Sequence, residues 1–224
     1  MKALNCLFFI AAAVAGLLGA PEGRATVPTR EVKLFNGIDL SGWEIFPVQA
    51  RETWTVREGV IHCTGEPFGY IRTSEPYAEY LLHLEWRWPG KPGNSGVFVH
   101  MSLPDKTLPR AFECQLMSGD AGYFWMLGVT SREHSGQGIR SSNVGKPEWY
   151  RNGVAPLKPS SEKPPGEWNA YQIICKDDWI VVLVNGVLQN VATEVSDRSG
   201  RICLQSEGAP IEFRNIWLEP LDIQ

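Results

Sequence analysis

The spacing of its turn residues constrains this chain more than any other feature. From Trp54 to Glu219, short runs of alternating apolar and polar residues are cut at close intervals by clusters of Gly, Pro, Asn and Asp. Period-two alternation suits a half-buried strand, and runs this short leave no room for an amphipathic helix with its caps. Strands are predicted over 54–56, 59–63, 69–72, 80–88, 95–100, 111–117, 123–129, 169–176, 179–184, 200–205 and 210–219. Pro89-Gly90-Lys91-Pro92-Gly93-Asn94 separates two of them and Lys176-Asp177-Asp178 another two. Asn185-Gly186 is the dipeptide of a tight hairpin turn. The stretch from Ser131 to Gly166 carries five prolines and no clear period, and is expected to be a long surface excursion. The pattern as a whole predicts an all-β sandwich or barrel.

The first residues read as a targeting segment. Lys2 precedes an apolar run over 6–20, too short for a bilayer span of roughly twenty residues and suited to the h-region of a signal peptide. Residues 1–25 are therefore expected to be a signal peptide, cleaved after Ala20 or Ala25, and residues 26–224 a single domain. An uncleaved anchor is the alternative, disfavoured by the shortness of the run. A secreted or periplasmic protein with no membrane span after leader cleavage is expected. The formal charge of −4 and the scattered Lys and Arg supply no basic stripe, so no nucleic-acid partner is expected. Cys63, Cys114, Cys175 and Cys203 remain beyond the leader, none in a Cys-x-x-Cys pair. They either form disulfides, in one of three pairings that sequence does not rank, or act as small buried apolar residues.

Strand parity assigns faces. Leu82, Leu84, Trp86 and Trp88 share one side of their strand, opposite His83, Glu85 and Arg87. Phe112, Cys114 and Leu116 oppose Glu113, Gln115 and Met117, and Ile202 and Leu204 oppose Cys203 and Gln205. If these strands share one sheet, the polar rows line one groove; otherwise they form a wet outer face. There is no Gly-x-Ser-x-Gly elbow, no His-Glu-x-x-His pair and no phosphate loop, and Gly136-Gln137-Gly138 lacks the strand and helix of a dinucleotide site. Glycoside cleavage normally uses two carboxyls, and Glu113 and Glu85 are the acidic candidates. Gln115 and Met117 stand where a second acid on the Glu113 strand would lie, while Arg87 would hold Glu85 ionised. Tyr123, Trp125, Trp149 and Tyr150 flank the excursion and are the candidate platforms for a sugar ring, with core packing as the competing role. Trp86 and Trp88 are assigned to the core. His62, His83, His100 and His134 show no ligand spacing, although His134, inside the excursion, could transfer a proton.

Several segments together resemble a known family. Leu34-Phe35-Asn36-Gly37-Ile38-Asp39-Leu40-Ser41-Gly42-Trp43 is similar to the opening motif of the 3-keto-disaccharide hydrolase domain family. The likeness continues through Trp54-Thr55-Val56-Arg57-Glu58-Gly59, Gly93-Asn94-Ser95-Gly96-Val97-Phe98, Glu113-Cys114-Gln115-Leu116, Gly166-Glu167-Trp168-Asn169-Ala170-Tyr171 and the closing segment 200–216. Gly69-Tyr70-Ile71-Arg72-Thr73 and Ser160-Ser161-Glu162-Lys163-Pro164 are most like versions from environmental bacteria such as planctomycetes.

The resemblance implies a concanavalin A/LamG-like jelly-roll β-sandwich of two antiparallel sheets. It implies activity on glycosides whose sugar carries a ketone at C3. Such a ketone acidifies the C2 hydrogen, so a base can form an enolate and expel the C1 oxygen, and water can then add back. A non-catalytic carbohydrate-binding module and a conventional glycosidase remain the alternatives. By motif position, Glu113 is the expected acid/base and Lys163 the charge-stabilising group, with Arg87, from the face shared with Glu85, as the other candidate for that role. Asn94, Ser95, Gln115, Trp168, Asn169 and Gln205, with Glu207 beside the last, are expected to meet substrate. No cofactor is predicted; a divalent cation is compatible with the sequence but not indicated by it. A separate sugar dehydrogenase would have to supply the ketone.

Overall fold

The computed structural model describes residues 24–131, 133–134 and 153–221. All but the last two residues of the predicted leader, as well as Trp149 and Tyr150, lie outside the described residues. Numbered in chain order, the strands form two antiparallel sheets. The larger runs β10 (Glu133–His134), β14 (Val187–Thr193), β13 (Trp179–Val184), β12 (Asn169–Lys176), β6 (Tyr80–Arg87), β16 (Ile211–Pro220), β4 (Val60–Cys63) and β3 (Trp54–Arg57), with β1 (Val32–Lys33) also pairing with β16. The smaller runs β11 (Gly153–Val154), β9 (Phe124–Leu127), β8 (Arg110–Gln115), β7 (Gly96–Ser102), β15 (Arg201–Ser206), β5 (Gly69–Thr73) and β2 (Trp43–Phe46). Hairpin neighbours alternate with pairs far apart in sequence, such as β6 with β16 and β7 with β15, as in a jelly roll, and no helix of the described residues is long and apolar enough to cross a membrane.

Alternation in the sequence becomes alternation in burial. β6 and β12 each bury every second residue. Their inward rows, including Leu82, Leu84, Trp86, Tyr171 and Ile173, meet Val97, Phe112, Cys114 and Leu204 of the smaller sheet in one core. Trp86 is fully buried and Trp88 2 % exposed, as parity assigned them. Each such aromatic contributes about 2–3 kcal/mol of burial. Cys63, Cys114, Cys175 and Cys203 are free and buried, the second of the two roles the sequence allowed. The Asn185-Gly186 turn closes β13 onto β14 with positive φ at both residues (50° and 77°), the backbone of a type I′ hairpin.

β14 itself has no counterpart among the predicted strands. A register shift opposite Val182 and Leu183 turns the consecutive Gln189 and Asn190 both inward. Two buried amides in a row hide the apolar alternation, and Asn190 Nδ2 is satisfied by the carbonyls of Gly122 (3.2 Å) and Val154 (3.1 Å).

The smaller sheet departs from the expected pattern in another way. Nearly every residue of β5, β7, β8 and β15 is buried, on both faces. One face joins the core; the other carries a second apolar cluster of Tyr70, Phe98, Met101, Ala111 and Cys203. The connection 103–109 folds over this outer face. Asp105 anchors it by accepting from Arg72 Nε (2.8 Å), Arg72 Nη2 (3.0 Å) and the Tyr70 hydroxyl (3.0 Å). A concave, roofed surface results, and it positions the site.

Candidate functional site

Strand register builds the floor of this surface. Gln115 lies opposite Gly96, and Glu113 lies between Phe98 and Trp125 on the neighbouring strands. On the far side of β7, Leu204 pairs with Val97, so Gln205 falls beside Gly96. Glycine is required there: a Cβ on Gly96 would stand 2.5 Å from Glu113 Oε1 and 2.9 Å from Gln205 Oε1. Its bare backbone lets a carboxyl and an amide from different strands converge. Ser95 is buried beneath them, its hydroxyl donating to the Gln205 carbonyl (2.8 Å). Asn94 bridges backbone to Glu207 and Gly208, which brings Glu207 to the same pocket. Gln115 Oε1 accepts from the Leu116 (3.0 Å) and Met117 (3.1 Å) amides, which leaves its NH₂ group as the donor.

The pocket holds about 600 Å³. Glu113, 6 % exposed, has its carboxyl pushed up to about 8, first by burial and second by the charge of Glu207. Glu207 is also raised, by burial, against hydrogen bonds from Asn94 and Gln205 that favour its ionised form. Gln205 Oε1 is buried without a protein partner. The walls come from Phe68 on one side, from Trp125, Met126 and Leu127 on the other, and from Lys106, Leu108 and Pro109 of the roofing connection. Trp125 stacks on the buried Tyr123 (centroids 4.9 Å apart, 23° between planes). Gly153 makes room for both, since a Cβ there would come within 2.6 Å of each ring. Arg110, also in the wall, is committed: Asp197 takes Nε (2.7 Å) and Nη2 (2.6 Å), and the Gly128 carbonyl takes Nη1.

The predicted site residues thus divide. Asn94, Glu113, Gln115, Trp125, Gln205 and Glu207 come together around one pocket, with Ser95 as its support. Glu85 and Arg87 do not join them, because β6 belongs to the larger sheet and the conditional single groove is two separate surfaces. On that other outer face Arg87 is paired with Glu212, which also meets His62 Nδ1 at 2.9 Å. Glu85 is paired with Arg214 (2.7 Å), and Trp168 lies against both guanidiniums, 4.6 and 4.1 Å from its ring centroid. Lys163 and Asn169 fasten the chain ahead of β12: Asn169 Oδ1 accepts from the Lys163 amide (2.7 Å) and Asn185 Nδ2 (2.9 Å), and Lys163 Nζ donates to the Trp168 carbonyl (2.9 Å). His134 sits on β10 opposite Ala192, its side chain outside the described residues. Among the described residues no group of three or more His, Cys, Asp or Glu is placed to hold a metal ion.

Sequence reasoning missed the wall residues Phe68, Lys106 and Leu108, and it looked for a partner of Glu113 on the same strand. The partner, Glu207, lies 94 positions away, past the end of β15. The pairing of β7 with both β8 and β15 and the bridge between Asn94 and Glu207 make them neighbours, and such contacts have no local signal.

Residues 30–219 match the family of the 3-keto-alpha-glucoside-1,2-lyase-like domain. None of the curated proteins matches the chain. Among solved structures, a protein of Parabacteroides distasonis described as a glycosyl hydrolase is 25 % identical. The alignment covers 86 % of this chain and 94 % of that one, with a TM-score of 0.63. A second P. distasonis structure so described shares 21 % identity at a TM-score of 0.60, over 86 % of this chain and all of that one. The carbohydrate-binding module CBM66 of Bacillus subtilis shares the fold at 12 % identity and a TM-score of 0.57, over 80 % of this chain and 95 % of that one.

Proposed function

The chain belongs to the family of 3-keto-alpha-glucoside-1,2-lyase-like domains, and from that premise we propose that it cleaves glycosides whose sugar carries a ketone at C3. Elimination across C1–C2 is followed by hydration. The observation that carries this reading is the pairing of Glu113 and Glu207 in one pocket: the former holds its proton at pH 7, while two amide hydrogen bonds that the former lacks partly offset the burial that raises the latter. Two carboxyls whose environments separate their proton affinities divide the roles of acid and base.

In this mechanism Glu207 takes the C2 proton, made acidic by the ketone, and the electron pair moves into the C3 carbonyl as an enolate. The amide donors of the floor, Gln115 foremost, stabilise the oxygen charge. The C1–O bond breaks as the enolate collapses to a C1–C2 alkene conjugated with the ketone, and Glu113 gives its proton to the departing oxygen. Both groups have now exchanged states. Water adds at C1 as Glu113 takes its proton, and Glu207 returns a proton to C2, which restores the starting enzyme with net hydrolysis. The ketone must be made beforehand by a sugar-oxidising dehydrogenase, and the leader-like first residues support export as part of the proposal.

The deciding assay gives the purified protein a disaccharide and its 3-keto form and follows product release. Turnover of the 3-keto form alone is expected, with Glu113→Gln lowering kcat by about 10² or more. Binding without turnover would replace the enzyme reading with that of a carbohydrate-binding module, and turnover of both forms would point to a conventional glycosidase.

A further inference from the structure

We propose that the leaving-group end of this pocket is an apolar subsite, and that the preferred substrates are 3-keto-glycosides of an apolar aglycone rather than of a second sugar. The inference rests on the function proposed above for its chemistry but not for its geometry. Register orders the floor along the strands. At the level of Gly96 stand Gln115 and Gln205, with Asn94 and Glu207 just beyond. One step along stand Glu113, Phe98, Cys203 and Trp125. The next step brings Ala111 opposite Leu127. The amide and carboxyl groups of the floor thus crowd one end, and the floor at the other end is carbon.

Glu113 marks the boundary between the two, where a proton donor must stand to protonate a scissile oxygen. A sugar ring bound by the amide end, with C2 toward Glu207, places its C1 substituent between Leu127 of the wall and Leu108 and Pro109 of the roof. Phe98 and Ala111 are buried in the satellite apolar cluster against which Leu127 packs. The connection 103–109 joins β7 to β8 at this end and holds Leu108 over the pocket, 53 % exposed. Leu108, Pro109, Met126 and Leu127 together give this end a contiguous apolar lining of the kind that marks a binding surface. Of the two charged groups lining this end, Arg110 has Nε and both terminal nitrogens occupied by Asp197 and Gly128, which leaves the Lys106 ammonium of the roof. A second pyranose would find the Lys106 ammonium and the Thr107 hydroxyl for its several hydroxyls and lay the rest on carbon, losing hydrogen bonds to water without replacement.

Alkyl glycosides separate binding from leaving-group chemistry, because an alkyl alcohol leaves no more readily than a sugar hydroxyl. The 3-keto forms of methyl α-glucoside, hexyl α-glucoside and an α-linked glucose disaccharide would be compared by kcat/KM. The hexyl substrate is expected to exceed the methyl by on the order of 30-fold, from burial of part of its five additional methylenes. It is also expected to exceed the disaccharide, and Leu108→Asn should narrow the hexyl-to-methyl ratio about threefold. The ratio within one variant is independent of how much of it is folded. Equal hexyl and methyl values, or a preferred disaccharide, would overturn the subsite. If no 3-keto substrate turns over, calorimetry with the unoxidised hexyl and methyl α-glucosides still decides. Tighter hexyl binding would uphold the apolar subsite while removing the catalytic reading, and equal binding would overturn the subsite.

Discussion

Replacing Glu113 by glutamine should make the protein more stable while disabling it, and by an amount that grows with pH. The carboxyl is 6 % exposed and its proton is held until about pH 8, whereas in the unfolded chain it is released near 4.5. Between those values the folded state binds more protons than the unfolded state, so stability falls as pH rises. The slope is about 1.36 kcal/mol per pH unit, and integrated over the window it approaches an upper limit of about 5 kcal/mol by pH 8. Glutamine keeps the shape and carries no proton to lose. Urea denaturation of both proteins at intervals from pH 4 to 9 measures the difference. At pH 4 the two should agree within about 1 kcal/mol, since both side chains are neutral there. By pH 8 the variant should be ahead by several kcal/mol, with no further gain at pH 9. Glu207 titrates in both proteins and largely cancels. Parallel stability curves would refute the reasoning, because they would mean that Glu113 ionises as freely in the fold as outside it and is no resting acid. A variant that falls behind as pH rises would refute it more strongly, showing a stabilised carboxylate.

Three other outcomes follow from named contacts. Gly96→Ala should lower kcat tenfold or more on a 3-keto substrate, because the new methyl must displace the Glu113 carboxyl 2.5 Å away; an unchanged kcat would show that the carboxyl position is not critical. Arg72→Met removes the anchor of the roofing connection and leaves Asp105 without its bidentate partner. It should raise KM severalfold and lower stability by about 2–4 kcal/mol, as expected for a buried charge pair broken on one side, and calorimetric unfolding together with steady-state kinetics would detect both. His100 is buried with its proton affinity lowered to about 4, chiefly by burial. The unfolded chain therefore takes up its proton first as pH falls below 6.5, so His100→Asn should blunt acid destabilisation between pH 6.5 and 4 by about 3 kcal/mol at most; identical acid unfolding curves would exclude that role.

Much of the fold was legible because its strands obey a local rule. Trp86 and Leu84, or Phe112 and Cys114, alternate with polar neighbours within single strands, and the structure buries them as that period requires. Where the rule failed, a non-local cause intervened. β14 was invisible because a register shift opposite Val182 and Leu183 turns Gln189 and Asn190 inward together. Whether the outer face of β8 was a groove or a wet surface stayed open, because nothing near Glu113 or Gln115 in sequence announces that residues 103–109 will be pinned across it by Arg72 and Tyr70.

The candidate site divides along the same line. Parity placed Glu113 and Gln115 on one face and Gln205 on another strand's polar face, and those survive as pocket residues. Parity is silent on which strands are neighbours, so Glu85 and Arg87 satisfied the same rule while standing on the other sheet. Glu207 gains its importance only from its distance to a residue 94 positions earlier. The same non-local roof that hid the site also creates its chemistry. A Glu113 on an open sheet face would titrate as an ordinary carboxyl; under the connection 103–109 it keeps its proton, and an acid that keeps its proton at neutral pH is what the departing oxygen requires. Loosening the roof should therefore do more than weaken binding. In Arg72→Met, water admitted beside Glu113 should lower its proton affinity and move the alkaline limb of the kcat/KM profile toward lower pH, whereas a purely steric role for the roof would leave that limb where it is.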